Sequence, residues 1–205
     1  MKKEINIPTQ VKDANLIELR RQQIIDSGVK LFTKQGFHKT TTRQIARNAG
    51  FSIGTLYEYI QSKEDVLYLV CDHIHRGVEE GVKRAIKNTG NGRESLFEAI
   101  REYYKICDSM IDEILLIYQE SKSLEKDAMR IVLNRDKKIS NMFEDIIKRG
   151  IDDGSINLQP SSTKILAHNI IVIGHMWTFR RWFFLRNYDI EKYIDEQLQL
   201  IATAI

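Results

Sequence analysis

The chain has 205 residues, 42% hydrophobic and 29% charged, with a net charge of +3, which suits one large or two small globular domains with a real core. No apolar run is long enough to span a bilayer, and the opening MKKEINIPTQVKD lacks the apolar segment of a secretory signal, so a cytoplasmic chain with no membrane partner is expected. Cys71 and Cys107 share no close spacing, which argues against a metal motif and for two buried or half-buried free thiols. The charge is uneven: residues 1–63 carry 11 Lys/Arg against 5 Asp/Glu, the remainder 20 against 23. Such a basic segment is the footprint of phosphate binding.

Residues 1–14, with Lys2, Lys3 and Lys12, read as a flexible basic arm, able to touch DNA or simply a disordered tail. A helix follows from about Asn15 to Gln35, with Ile17, Ile24, Gly28, Leu31 and Phe32 inward. Gly36 ends it, and Phe37 supplies the apolar contact common at a glycine C-cap. Arg20 and Arg21 either flank DNA or are ordinary solvated cations. Thr41 caps the next helix, and Gln44 three residues on completes a capping box. Ile45, Ala46 and Ala49 share one face, and Gly50 stops the helix. Ser52 caps a third helix, Ile53 to about Ile60, with Leu56 and Ile60 inward and Thr55, Tyr57, Glu58 and Tyr59 outward. Ser62 caps again with Asp65 at the third helical position. Two short helices joined by a tight turn describe a helix-turn-helix, and the outward hydroxyls can bond phosphates and base edges.

The run G-F-x-x-T-T-x-R-x-I-A-x-x-A-G-F-S-x-G-T-L-Y-x-Y-I-x-S-K-E-D-V-L, Gly36 to Leu67, resembles the DNA-binding domain of the TetR/AcrR family of bacterial regulators. It departs at Phe51, where the family has Val, and at Ile60, where it has Phe; both stay apolar. The resemblance implies that the start of the second helix meets the DNA backbone through Thr41, Thr42 and Arg43, and that the third helix enters the major groove. It implies phosphate contacts from Tyr57 and Lys63. Ser52, Gly54 and Thr55 complete the candidate DNA contacts, Gly54 by admitting close backbone approach or by tight packing. Tyr59 is a phosphate contact or a packing residue.

From Lys63 to about Asn88, Val66, Leu67, Val70, Ile74 and Val78 form a helical stripe, the family's connecting helix. His73 and His75 lie on it two residues apart, on different faces, so they share no metal. Asn88-Thr89-Gly90-Asn91-Gly92 breaks the chain. Four more helical stretches follow: Arg93–Ser109, Asp112–Ser121, Leu124 to about Asp153, and Ser162 to about Arg186. A last helix runs from Tyr188 to Thr203, and Gly154 and Pro160 bracket a loop. The expected fold is all-α, about nine helices, with a DNA-binding domain over 1–62 and a helical ligand-binding and dimerisation domain over 63–205.

The helix from Ser162 is apolar on nearly all faces and so must be buried all round. One side would meet its own domain and another a second subunit, the last helix completing a four-helix interface as in the family. A homodimer would set two recognition helices roughly 34–36 Å apart or somewhat more, on a palindromic operator. Tyr103, Tyr104, Cys107, Tyr118 and Met129 are candidate lining of an effector pocket; Met142, Trp177 and Phe179 complete it, and for any single one of them core packing alone is the favoured reading. Arg180 and Arg181 interrupt HMWTFRRWFF. They would meet an internal carboxylate, a dimer edge or an anionic group on an apolar ligand. This segment and YQESKSL, Tyr118–Leu124, resemble a subgroup that senses fatty acyl-CoA.

The function expected is a ligand-responsive dimeric regulator, a repressor released by a small apolar or amphipathic effector such as an acyl-CoA. The alternative is a chromosome-organising DNA-binding protein of the same fold with no effector. An enzyme is not expected: no nucleophile–base pair, HExxH or phosphate loop is present, and no cofactor is implied. His38, His73, His75, His168 and His175 make no recognisable ligand set, and His175 reads as packed or partner-facing.

Overall fold

A computed structural model describes residues 7–86 and 90–205. Among the described residues the chain is all-α, with ten helices and no strand. They are α1 Ala14–Gln35, α2 Thr42–Asn48, α3 Ile53–Tyr57, α4 Lys63–Ala85, α5 Gly92–Ser109, α6 Ile111–Glu120, α7 Lys126–Asp152, α8 Thr163–Phe179, α9 Arg181–Phe184 and α10 Ile190–Ala204. Two 3₁₀ turns, Ser121–Ser123 and Pro160–Ser162, precede α7 and α8. None of these helices is long and apolar enough to cross a membrane. The chain forms two compact units, one of Met1–His75 with Leu115–Arg135, the other of Arg76–Ile114 with Asp136–Ile205.

In the first unit, local capping sets the helices. Asp13 accepts from the N–H of Asn15 and Leu16 and starts α1. Thr41 and Gln44 form the expected capping box of α2, and Ser52 caps α3. Ser62 and Asp65 exchange the same reciprocal bonds at α4. Ile24, Phe32, Ile45, Leu56, Ile60, Val66 and Val70 are buried together with Phe37, whose ring meets Phe32 edge-on at 5.3 Å. At Gly28 α1 packs tightly on α4: a Cβ there would stand 2.8 Å from Val70 Cγ2 and 2.9 Å from Val66 Cγ1. Asp72 of α4 and Arg135 of α7 form a buried ion pair in this unit.

Two expectations for this unit are corrected. The arm is not loose over residues 7–13: Ile7 is buried, Thr9 Oγ1 donates to Glu58 O at 2.7 Å, and Gln61 Nε2 donates to Pro8 O. Lys2 and Lys3 lie outside the described residues. Arg21 is half-buried and bonded to backbone carbonyls, not an ordinary solvated cation. Its guanidinium donates to Ile7 O at 2.7 Å and twice to Tyr59 O, and burial lowers its pKa against the opposing pull of Asp65. These long-range bonds also account for the shortness of α3. The carbonyls of Glu58 and Tyr59 are taken by Thr9 and Arg21, and the last turn tightens through Glu58 N–Thr55 O and Tyr59 N–Leu56 O.

In the second unit α5, α8, α10 and the later part of α7 share an aromatic core of Tyr103, Tyr104, Phe143, Trp177 and Tyr193. Asn91 and Glu94 form a capping box that starts α5; Asn88 and Thr89 of the breaker lie outside the described residues. The expected single helix over 162–186 is two. Arg180, at φ −111° and ψ 25°, ends α8, and α9 begins beside it. The apolar stretch is therefore not buried all round within the chain: Ile165, Trp182, Phe183 and Leu185 are exposed. Cys71 of the first unit and Cys107 of the second are buried free thiols, each pushed up to about 12 by burial, which makes them poor nucleophiles.

Gly28→Ala should destabilise the protein by about 1–3 kcal/mol, because two valine methyls must give way. Equilibrium urea unfolding followed by helical circular dichroism measures this.

Candidate nucleic-acid interface and effector core

The turn between α2 and α3 brings two outward hydroxyls together. Tyr57, 44% exposed, places its Oη 3.2 Å from Thr42 Oγ1. Thr41 and Arg43 are exposed beside them at the start of α2. Ser52 Oγ accepts from Thr55 N at 3.0 Å and lies 2.9 Å from Thr55 Oγ1, so one serine both caps α3 and holds the Thr55 hydroxyl. Gly54 has only Ser52 Oγ near its missing Cβ, at 3.7 Å, so helix packing does not require a glycine there. These residues supply hydroxyls and a cation, the chemistry that bonds phosphate oxygens.

Two candidates stand differently. Tyr59 is a core residue, 3% exposed, because the tightened end of α3 turns its ring inward; it offers its carbonyl to Arg21 instead of a hydroxyl to DNA. Lys63 reaches back to the segment between α1 and α2. Its Nζ donates to Phe37 O at 3.0 Å and lies 4.2 Å from the centre of the Phe37 ring. A phosphate contact by Lys63 would compete with these bonds.

Of the residues expected to line an effector pocket, Tyr103, Tyr104, Cys107 and Trp177 are buried in the second unit, with Met142 and Phe179 half-buried. Tyr103 Oη lies 2.9 Å from His175 Nε2, and the His175 ring stands 6.3 Å from that of Phe179. Trp177 Nε1 donates to Asp108 Oδ1 at 2.8 Å, and Tyr193 Oη donates to Ile173 O. Burial drives the phenols of Tyr103 and Tyr104 well above the usual tyrosine value, so both are neutral. The hydroxyls of Tyr104 and Thr178 are buried without a hydrogen-bond partner, and such groups in a core ask for an explanation. Tyr118 and Met129 are not brought to this core: they belong to the first unit, and Tyr118 is exposed.

Arg180 and Arg181 are exposed, and Arg180 stacks over Trp182 at 4.9 Å, so neither is buried against an internal anion. The break at Arg180 turns both outward. Asp108 and His175 are the partners that sequence reasoning did not assign. The need of a buried indole N–H for an acceptor was a signal for the first.

Residues 24–68 match the profile described as bacterial regulatory proteins, tetR family, and residues 89–184 that of the tetracyclin repressor-like C-terminal domain. The HTH-type transcriptional regulator HbdR of Aromatoleum sp. (strain CIB) is 30% identical over 197 residues, 96% of this chain and 85% of HbdR. The fatty acid metabolism regulator protein of Bacillus subtilis (strain 168) is 25% identical over 134 residues, 65% of this chain and 69% of that protein. Among solved structures, AibR in complex with isovaleryl coenzyme A and operator DNA shares the fold with a TM-score of 0.73 at 20% identity, over 88% of this chain and 97% of AibR. FadR from Bacillus subtilis in complex with stearoyl-CoA gives a TM-score of 0.72 at 22% identity, over 90% and 98%. With a helix-turn-helix head, matches to both family profiles and a relative 30% identical along nearly all its length, the chain belongs to the TetR family of bacterial transcriptional regulators.

Proposed function

We propose that this regulator is a cytoplasmic homodimeric repressor that holds a palindromic operator and lets it go when a fatty acyl-CoA or related amphipathic effector binds. The exposed Thr42–Tyr57 hydroxyl pair carries the DNA part of the reading. It sits with Thr41, Arg43, Ser52, Gly54 and Thr55 on the basic part of the chain. We place the DNA-binding domain at 1–62 and the effector and dimer domain at 63–205. Ile165 on α8, Leu200 on α10 and Trp182 on α9 are exposed apolar groups suited to cover by a second copy. For the effector, the support is the aromatic core with its unpartnered hydroxyls, together with the CoA thioesters carried by AibR and FadR. Effector binding would act by shifting the balance between head spacings that fit the operator and those that do not.

Gel shift on the DNA flanking the protein's own gene, at fixed salt, tests this with and without a long-chain acyl-CoA. Specific binding that acyl-CoA abolishes is the expected result. Binding that ignores every acyl-CoA, spread over many unrelated fragments, would favour a chromosome-organising protein. Tyr57→Phe should weaken specific binding about two- to tenfold, the size of one net hydrogen bond, with helical content and dimer unchanged. Full affinity in that variant would remove Tyr57 from the interface.

A further inference from the structure

The second unit holds a groove that none of the expected effector residues except Met142 lines. Its volume is ≈ 450 Å³, and Lys83 and Ile86 near the end of α4 and Met142, Asp145, Ile146 and Arg149 of α7 form its walls. The spacing along α7 is helical, so Met142, Ile146 and Arg149 face the groove together. Ile86, Met142 and Ile146 are apolar, and Lys83, Asp145 and Arg149 are charged. The guanidinium of Arg149 stands apart from the other charges because two of its nitrogens, Nε and Nη2, are buried with no hydrogen-bond partner.

These two nitrogens are not an arbitrary pair. Nε–H and Nη2–H lie on the same edge of the guanidinium and point the same way, forming the fork that takes a carboxylate or phosphate through two parallel bonds. Elsewhere in the chain the same edge is used: Nε and Nη2 of Arg21 both donate to Tyr59 O. A buried cation with a whole donor edge unused is unfavourable unless an anion meets it. The neighbouring carboxylates are committed. Asp153 accepts from Gly92 N at 2.7 Å and Ser155 N at 2.9 Å. Its carboxyl is held low first by the Ser155 side chain, then by those backbone donors, and least by Arg149. Asp145 is largely exposed on the rim and lies 3.7 Å from Lys148. Lys83, paired with Glu79 and more than half exposed, adds a cation at the mouth.

We propose that this groove is an oxyanion site, in which Arg149 Nε–H and Nη2–H grip a carboxylate or phosphate while the ligand's apolar body lies on Ile86, Met142 and Ile146. Arg149 thus takes the part that the sequence offered to Arg180 and Arg181. The site deepens the effector reading above, and rests on it only for the claim that the ligand so held changes DNA affinity; binding itself is independent of that.

Calorimetric titration of the full chain with octanoate, octanoyl-CoA and octanol tests the site. At least one anionic probe should bind at least about tenfold tighter than octanol, as two charge-assisted bonds require. A gain for octanoate assigns a carboxylate, and a gain for octanoyl-CoA alone a phosphate. Arg149→Gln should erase the gain and leave octanol affinity unchanged, while Arg149→Lys keeps part of it. Because the fork has no partner in the unliganded protein, Arg149→Gln should unfold thermally no earlier than the parent. No preference for either anion, a preference that survives Arg149→Gln, or early unfolding of that variant would overturn the proposal. Gel shifts on the same proteins separate the two readings. Arg149-dependent binding without DNA release leaves the site standing and removes the effector role. DNA release that persists in Arg149→Gln leaves the effector reading standing and takes this site out of it.

Discussion

The head depends on one backbone constraint, the left-handed turn at Gly50. Its φ of 78° lets α2 end in a pair of bonds, Phe51 N to Ala46 O at 2.8 Å and Gly50 N to Arg47 O at 3.3 Å. Phe51 follows as the apolar residue that such an ending favours. Any side chain with a Cβ is strained at that φ. The turn fixes how α3 leaves α2, so the Tyr57 hydroxyl arrives beside Thr42 and Ser52 can cap the next helix. Arg21 secures the far end by holding Tyr59 O and Ile7 O. A short helix that could not persist alone in water is thus clamped at both ends.

The second unit rests on a different principle. Its core is built from large rings whose polar tips must be satisfied internally: Trp177 by Asp108, Tyr103 by His175, Tyr193 by a backbone carbonyl. Such a core is rigid where its tips are paired, and the unpaired hydroxyls of Tyr104 and Thr178 mark where the network is incomplete. The unused edge of Arg149 is the same kind of signal with a full charge behind it.

The head was readable because its chemistry is local. The Thr41–Gln44 and Ser62–Asp65 boxes, the Ser52 cap and Gly50 all act within a few residues, and each stands where its spacing placed it. What escaped the sequence was set by residues far apart. The fastening of Pro8 and Thr9, and with it the early end of α3, joins positions about fifty residues apart, as Thr9 and Glu58 do. The Asp72–Arg135 pair spans 63 residues. Apolar periodicity could not reveal the break at Arg180, since RWFF continues the same composition in a new direction. Tyr118 and Met129 looked like pocket lining by residue type alone, and type does not say which unit a helix joins. For the same reason arginine beside tryptophan pointed to Arg180, while the guanidinium with an unspent edge lies in an ordinary stretch of α7.

Selection of genomic fragments bound by the purified protein, followed by sequencing, tests the central claim most directly. The account predicts a small set of fragments sharing one palindrome, its half-sites about one helical turn or somewhat more apart, as two symmetric heads require. Enrichment of many fragments with no common sequence, or of half-sites without two-fold symmetry, would contradict it.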